Sequence, residues 1–167
     1  MENYIPISYL NDYIFCPRSI YNHQLYQGYE EVVYQGAYQT EGKNAHIKID
    51  TQQYSDKNSI LQNFEIVSAR YGIYGKIDLF DVEKGLLSER KKNIKTIYDG
   101  YVFQVYAQYF GLTEMGYVVK EIVLYDFSKN KKYPIALPHQ NPEMFQKFEQ
   151  TIHDLKNYSL LKNNVKP

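Results

Sequence analysis

Apolar and polar positions change period along the chain, and the changes mark the elements. Ser8 to Cys16 carries a helical pattern, with Ser8 placed to cap it and Pro17 either closing it or opening the next helix. A polar stretch containing Gly36 and Gly42 introduces a second predicted helix, Glu41 to Asp50. Phe64 to Ser68 then alternates as a strand, Lys76 to Asp81 as another and Leu86 to Lys92 as a third. Tyr101 to Met115 has apolar residues on nearly every side and no proline, which predicts a buried helix ending at Gly116. Val118 to Tyr125 resumes strand character, Lys132 to Leu137 is its pairing candidate, and Pro142 to Leu160 reads as an amphipathic helix. The order is helices, an antiparallel strand run, a buried crossover helix, more strand, then helix. That order predicts an α/β fold on one central mixed sheet flanked by helices. No repeat, low-complexity tract or Gly/Ser/Pro-rich linker divides residues 1–167, which are read as a single domain.

Composition narrows the picture. A hydrophobic fraction of 44% and an aromatic fraction of 16% are enough for a core and exclude wholesale disorder. No apolar run approaches the roughly 20 residues that cross a bilayer, and Met1-Glu2-Asn3-Tyr4 does not read as a secretory n-region. The single cysteine excludes an internal disulfide framework and suits a reducing cytoplasm, the expected compartment. With 19 basic and 19 acidic residues, a uniformly basic nucleic-acid coat is excluded and a local patch is not. Lys84, Arg90, Lys91, Lys92 and Lys95 form the one dense basic cluster, either a seat for a phosphate backbone or a solvated hairpin tip. Tyrosine is abundant, at 19 residues against no tryptophan; its rings suit stacking on unpaired bases, and AT-rich coding produces the same bias.

The segment Gly75 to Lys92 carries the most chemistry. Glu83-Lys84-Gly85 is a turn signal between two strands, so a hairpin is expected. If Val82 pairs with Gly85, partners across the ladder sum to 167 and Asp78 faces Glu89. Two facing carboxylates repel unless positive charge lies between them, and hard oxygen ligands suit magnesium or manganese. Lys91, two residues beyond Glu89, shares its face and can supply charge to a phosphorane or orient a water. A solubilising surface hairpin would use the same residue types, and a one-residue slip would send Asp78 to the other face. Gly75 allows close backbone approach or a bulge. His46, on the second predicted helix, is either a surface or capping histidine or a metal ligand. Gln104 interrupts an apolar helix face, so it is either a satisfied core amide or aimed at a phosphate or water.

In chain order, Phe15-Cys16-Pro17-Arg18-Ser19, Gly42-Lys43-Asn44-Ala45-His46, Gly75-Lys76-Ile77-Asp78, Glu89-Arg90-Lys91, and Gln104 on the helix running to Glu114-Met115-Gly116 resemble the PD-(D/E)XK nuclease superfamily. More narrowly they look like the RecB-like CRISPR-associated exonuclease, the fourth protein family named in those systems. Tyr4 to Asp12 and Thr96 to Tyr101 look like the form that accompanies type V systems. The resemblance spans Ile5 to about Leu160. It implies a restriction-endonuclease-like core and a divalent ion, Mn2+ or Mg2+, held by His46, Asp78, Glu89 and the Arg90 backbone carbonyl. Lys91 is then the catalytic lysine and Gln104 the glutamine of the family's Gln-x-x-x-Tyr motif, with Lys92, Lys95 and Tyr101 placed to meet DNA. The implied activity is metal-dependent hydrolysis of DNA, exonucleolytic or endonucleolytic, trimming single-stranded ends of spacer precursors beside the CRISPR integrase and its small partner subunit.

Two departures from that pattern stand out. Gln108 occupies the tyrosine place of Gln-x-x-x-Tyr, and Tyr109 lies about 100° further round the helix. The family's iron–sulfur cluster uses one cysteine near the N-terminus and three near the C-terminus. Cys16 matches the first and no cysteine follows it, whereas a [4Fe–4S] cluster takes four. Either this member lacks the cluster or the sequence ends before the cysteine segment; for the chain as it stands no cluster is expected, and Cys16 reads as an inert buried thiol. The alternative function is a catalytically weak subunit that binds DNA ends in the same adaptation complex.

Overall fold

The computed structural model describes residues 4–25 and 59–158. In chain order these form β1 (Ile5–Pro6), α1 (Ser8–Phe15), α2 (Pro17–Leu25), β2 (Ile60–Ser68), β3 (Ile73–Asp81), β4 (Leu86–Lys91), α3 (Asp99–Glu114), β5 (Glu121–Asp126), β6 (Lys131–Ile135) and α4 (Pro142–Lys156). The fold is α/β, with a mixed six-stranded sheet flanked by helices, as the order of periodic segments predicts. The hairpin β3–β4 and the pair β5–β6 are antiparallel, while β4 and β5 are parallel and joined through α3. A parallel connection needs such a crossover, and α3 supplies it with buried residues on most of its surface, among them Val102, Phe103, Val105, Tyr106, Phe110 and Leu112.

Several boundaries differ from the sequence expectation. Ser8 is the first residue of α1 rather than its cap, and Ile7 in the capping position contributes no side-chain bond. Pro17 opens α2, where its missing N–H costs nothing. The strand expected from Val118 begins at Glu121, because the N–H groups of Lys120 and Glu121 both turn to the carbonyl of Gly85 in the hairpin turn. α4 is capped by Asn141, whose side chain accepts the N–H of Met144 at 3.1 Å, and it buries Phe148, Thr151, Ile152 and Leu155. The predicted helix Glu41 to Asp50 lies outside the described residues. α4 stops at Lys156, short of the predicted Leu160, because the chain leaves the helix at Asn157, whose N–H still returns to the carbonyl of His153. No helix among the described residues is long and apolar enough to cross a membrane.

Strand pairing is uneven around β3. β2 runs along one edge, from Ile60 opposite Asp81 to Ser68 opposite Ile73. The other edge is shared: β4 pairs at Leu79, Phe80 and Asp81, and β1 pairs in parallel at Ile73 and Tyr74. Between these two partners the sheet is split, because β4 swings away to follow β5 from Leu86 to Lys91. The β2–β3 ladder also skips the position where Asn63 would meet Asp78, and Asn63 has φ 49°, a left-handed conformation that asparagine tolerates. Ile77, Asp78, Leu79 and Phe80 are consequently all buried, and strict alternation fails at this bend. Gly75 does meet a close neighbour: a Cβ there would stand 2.4 Å from Cγ1 of Ile7, so the approach is filled by a core side chain.

Gly111 marks where α3 rests on the sheet, since a Cβ on it would lie 2.6 Å from Ile66 Cδ1 and 2.9 Å from Ile66 Cβ. Gly to Ala within a helix ordinarily stabilises by about 0.5–1 kcal/mol. Here overpacking reverses the sign, and Gly111→Ala is expected to destabilise by about 1–3 kcal/mol. An unchanged or raised urea midpoint would show that α3 can lift off Ile66 freely.

Candidate functional site

Asp78, on β3, stands in the split beside β4. The ladder pairs Leu79–Ser88, Phe80–Leu87 and Asp81–Leu86 each sum to 167, the register expected from the turn. The expected face-to-face pair of Asp78 and Glu89 is not reached, because the ladder ends one step earlier. Asp78 Oδ2 instead accepts the backbone N–H of Arg90 at 2.8 Å, so a carboxylate takes the donor that regular pairing would have engaged. In a strand, the N–H and C=O of one residue point to the same edge and successive residues alternate. Arg90 therefore turns its carbonyl toward Asp78, while the Lys91 carbonyl turns to β5 and accepts the N–H of Phe127 at 3.1 Å.

Glu89 is 1% exposed, and a carboxylate at that depth needs donors. Its Oε1 accepts from Gln104 Nε2 at 2.7 Å and from Lys91 Nζ at 3.1 Å; its Oε2 accepts from Gln108 Nε2 at 2.8 Å. Lys91 Nζ also donates to Gln104 Oε1 at 2.8 Å and lies 5.0 Å above the ring centroid of Tyr101. Its ammonium is thus fixed between a carboxylate, an amide oxygen and an aromatic face while the side chain stays 21% exposed. Two of these partners, Gln104 and Gln108, are one helical turn apart and project from the same face of α3.

Gln108 was legible only as a departure from a resembling motif, yet it is the deepest polar member of the group, at 0% exposure. Its Nε2 also reaches the Lys76 carbonyl at 3.2 Å, so it bridges the two sides of the split. The available signal was its spacing: a second amide four residues after Gln104 must face the same strand.

The structure separates the five clustered basic residues. Lys84 pairs with Asp81 at 3.2 Å in the hairpin turn, roughly 20 Å from Lys91 along the six residues of β4. The Arg90 guanidinium lies 4.9 Å over the Phe127 ring, with the residue 9% exposed, so it does not join a solvent-facing basic patch. Lys92 and Lys95 are exposed on the segment after β4. Cys16 is exposed, contrary to the expected buried thiol, because it occupies the extended joint between α1 and α2. His46 lies outside the described residues.

The segment from Lys92 to Tyr98 is tied down by Asp126, which is 0% exposed at the end of β5. Asp126 Oδ2 accepts the N–H of Ile94 at 2.8 Å, and Oδ1 accepts the Ser128 hydroxyl and the N–H groups of Ser128 and Lys129. Burial pushes this carboxyl up, but the donors from Ile94, Ser128 and Lys129 outweigh it and hold the pKa at about 2.

Asp78, Glu89 and the Arg90 carbonyl supply only oxygen donors at the split, a set suited to a hard divalent ion such as magnesium or manganese. Among the described residues no group of three or more His, Cys, Asp and Glu side chains is assembled, so the described side-chain donors are the two carboxylates.

The mixed sheet with its crossover helix and polar split defines an α/β fold class. No family model and no curated protein matches the sequence. The fold is similar to the crystal structure of SSO0001, with a TM-score of 0.63 and 16% identity, covering 98% of this chain and 79% of that one. At that identity the likeness is one of fold.

Gln108→Leu removes the buried bond to Glu89 Oε2 and the bond to the Lys76 carbonyl and is expected to cost about 2–4 kcal/mol in a denaturant titration; an unchanged midpoint would mean that the split closes without it. Because Asp126 has a depressed folded-state pKa, its contribution is complete above the ordinary carboxylate range and is lost as pH falls through about 2. Asp126→Asn should therefore be less stable than the parent at neutral pH and show a shallower loss between pH 4 and 2. Parallel acid-unfolding curves would contradict this.

Proposed function

We propose that the chain is a divalent-metal-dependent DNA nuclease of the PD-(D/E)XK kind, acting on single-stranded DNA or overhangs. The observation that carries the reading is the junction of Glu89, Lys91 and Gln104, with the Asp78 carboxylate held at the N–H of Arg90, the residue between Glu89 and Lys91. The ammonium is held by two acceptors while the Lys91 side chain stays 21% exposed, so it is both fixed and reachable from solvent.

Asp78, Glu89 and the Arg90 carbonyl are the described groups that would hold magnesium or manganese, and His46 joins them through the resemblance alone. When bound, the ion supplies Lewis-acid polarisation of the phosphodiester and a water of lowered pKa. Lys91 presents its ammonium to the non-bridging phosphate oxygens as negative charge grows on them. Gln104 sets the direction of that ammonium through Oε1 and steadies Glu89 through Nε2. Lys92, Lys95 and Tyr101 lie next to Lys91 in the chain or in space, where a strand would enter.

The resemblance supplies the setting: trimming of spacer precursors in CRISPR adaptation, in the cytoplasm, beside the integrase and its small partner subunit. Cys16 alone holds no [4Fe–4S] cluster, so the described chemistry uses none.

Asp78→Ala and Glu89→Ala should each abolish manganese-dependent cleavage of end-labelled single-stranded DNA, and EDTA should abolish it in the parent. Lys91→Ala should lower kcat by about 100-fold or more with little change in DNA affinity. Equal losses in rate and affinity would reassign Lys91 to phosphate binding. Retained DNA-end binding with no cleavage by the parent would favour the binding-subunit alternative.

A further inference from the structure

The ends of α1 and α3 bring a row of aromatic rings to the surface beside Lys91. Phe15, the last residue of α1, is 62% exposed and Tyr98, just before α3, is 43% exposed. Their ring centroids are 5.5 Å apart, Tyr98 and Tyr101 are 5.6 Å apart, and Tyr101 lies under the Lys91 ammonium. The contacts are edge-to-face, with interplanar angles of 62° and 84°. Such packing braces each ring against the next through an edge rather than by parallel stacking. Phe15 has no polar group to justify its exposure. Other rings of the chain do find the interior: Tyr106 is fully buried, and Tyr71 packs on Phe110 and Phe148.

We propose that Phe15 and Tyr98 form a stacking strip that seats the unpaired bases of a single DNA strand and leads its backbone to Lys91, with Tyr101 bracing Tyr98 and carrying the Lys91 ammonium on its face; the inference rests on the nuclease reading for the identity of the strand. Three features select this occupant. The strip ends at a fixed cation, and exposed Lys92 and Lys95 lie on the segment that delivers Tyr98, so the rings follow directly on a run of cations. A single strand offers a flat π-face and a negative charge at every nucleotide, and every base can use a ring face regardless of sequence. Bases within a duplex are already stacked on each other and cannot reach separated rings, so the strip selects unpaired ends. It also supplies affinity that an evenly charged chain cannot draw from electrostatics alone.

The test uses the full chain in EDTA, with fluorescence anisotropy on labelled oligo-dT and on an abasic strand of equal length and charge. The parent should bind oligo-dT at least about tenfold more tightly than the abasic strand. Phe15→Ala and Tyr98→Ala should each weaken oligo-dT binding by about 5- to 150-fold and leave abasic binding unchanged. Tyr98→Phe, which keeps the ring, should bind as the parent does. Equal affinity of the parent for the two strands, or folded Ala variants that bind oligo-dT like the parent, would overturn the strip. The parent comparison decides the question even if a variant fails to fold. Cleavage of oligo-dT by the parent in manganese reports separately on the nuclease reading. Cleavage without base-dependent binding removes the strip alone, and base-dependent binding without cleavage removes the nuclease alone.

Discussion

β4 pairs with β3 over three residues and with β5 over six, and this unequal sharing opens the sheet at Asp78. Backbone N–H and C=O groups along an opened, buried edge must find other partners. The Asp78 carboxylate takes the N–H of Arg90, and the Gln108 amide takes the carbonyl of Lys76. Polar side chains thereby replace ladder hydrogen bonds at these two backbone groups, which places an acidic group and an amide inside the sheet. Glu89 follows from the same opening: once its strand has turned toward β5, its carboxylate points at α3, whose two glutamines and the neighbouring Lys91 receive it.

What the sequence disclosed depended on how local the cause was. The hairpin register could be read because turn length alone fixes the pairs nearest the turn. Beyond Leu79 the competing pull of β5 decides, and no residue between Gly75 and Glu89 announces a partner that arrives 35 residues later. The bend at Asn63 was equally hidden, since Gln62-Asn63-Phe64 reads as ordinary strand until Asp78 is seen opposite it. Two-residue β1 is too short to show any period. α3 was clear because burial on almost every side leaves an apolar run that nothing else explains. Gln104 drew notice as the polar exception, yet Gln108 is more deeply buried. Residue type gave the kind of atom required, and topology decided which one touched the acid.

The basic residues show why clustering in sequence is a weak guide to clustering in space. Lys84, Arg90 and Lys91 occupy one hairpin, but the first is engaged by Asp81, the second covers Phe127, and the third alone is held at Glu89. Strand alternation and strand length separate them. Asp126 extends the same order to the following segment: by gripping Ile94 it fixes where the chain re-enters at Tyr98, and so where the first turn of α3 presents Tyr101.

The crossover built from α3 also constrains when the acidic centre can come into being. Asp78 and Glu89 belong to a local hairpin, whereas Gln104 and Gln108 come from a helix later in the chain that must dock on the sheet to meet them. Before α3 docks, the Glu89 carboxylate has none of its helix donors and remains hydrated, and Lys91 has neither its Gln104 anchor nor its Tyr101 platform. The assembled centre is therefore a property of the completed topology, and a partly translated or partly unfolded chain carries its residues without its geometry.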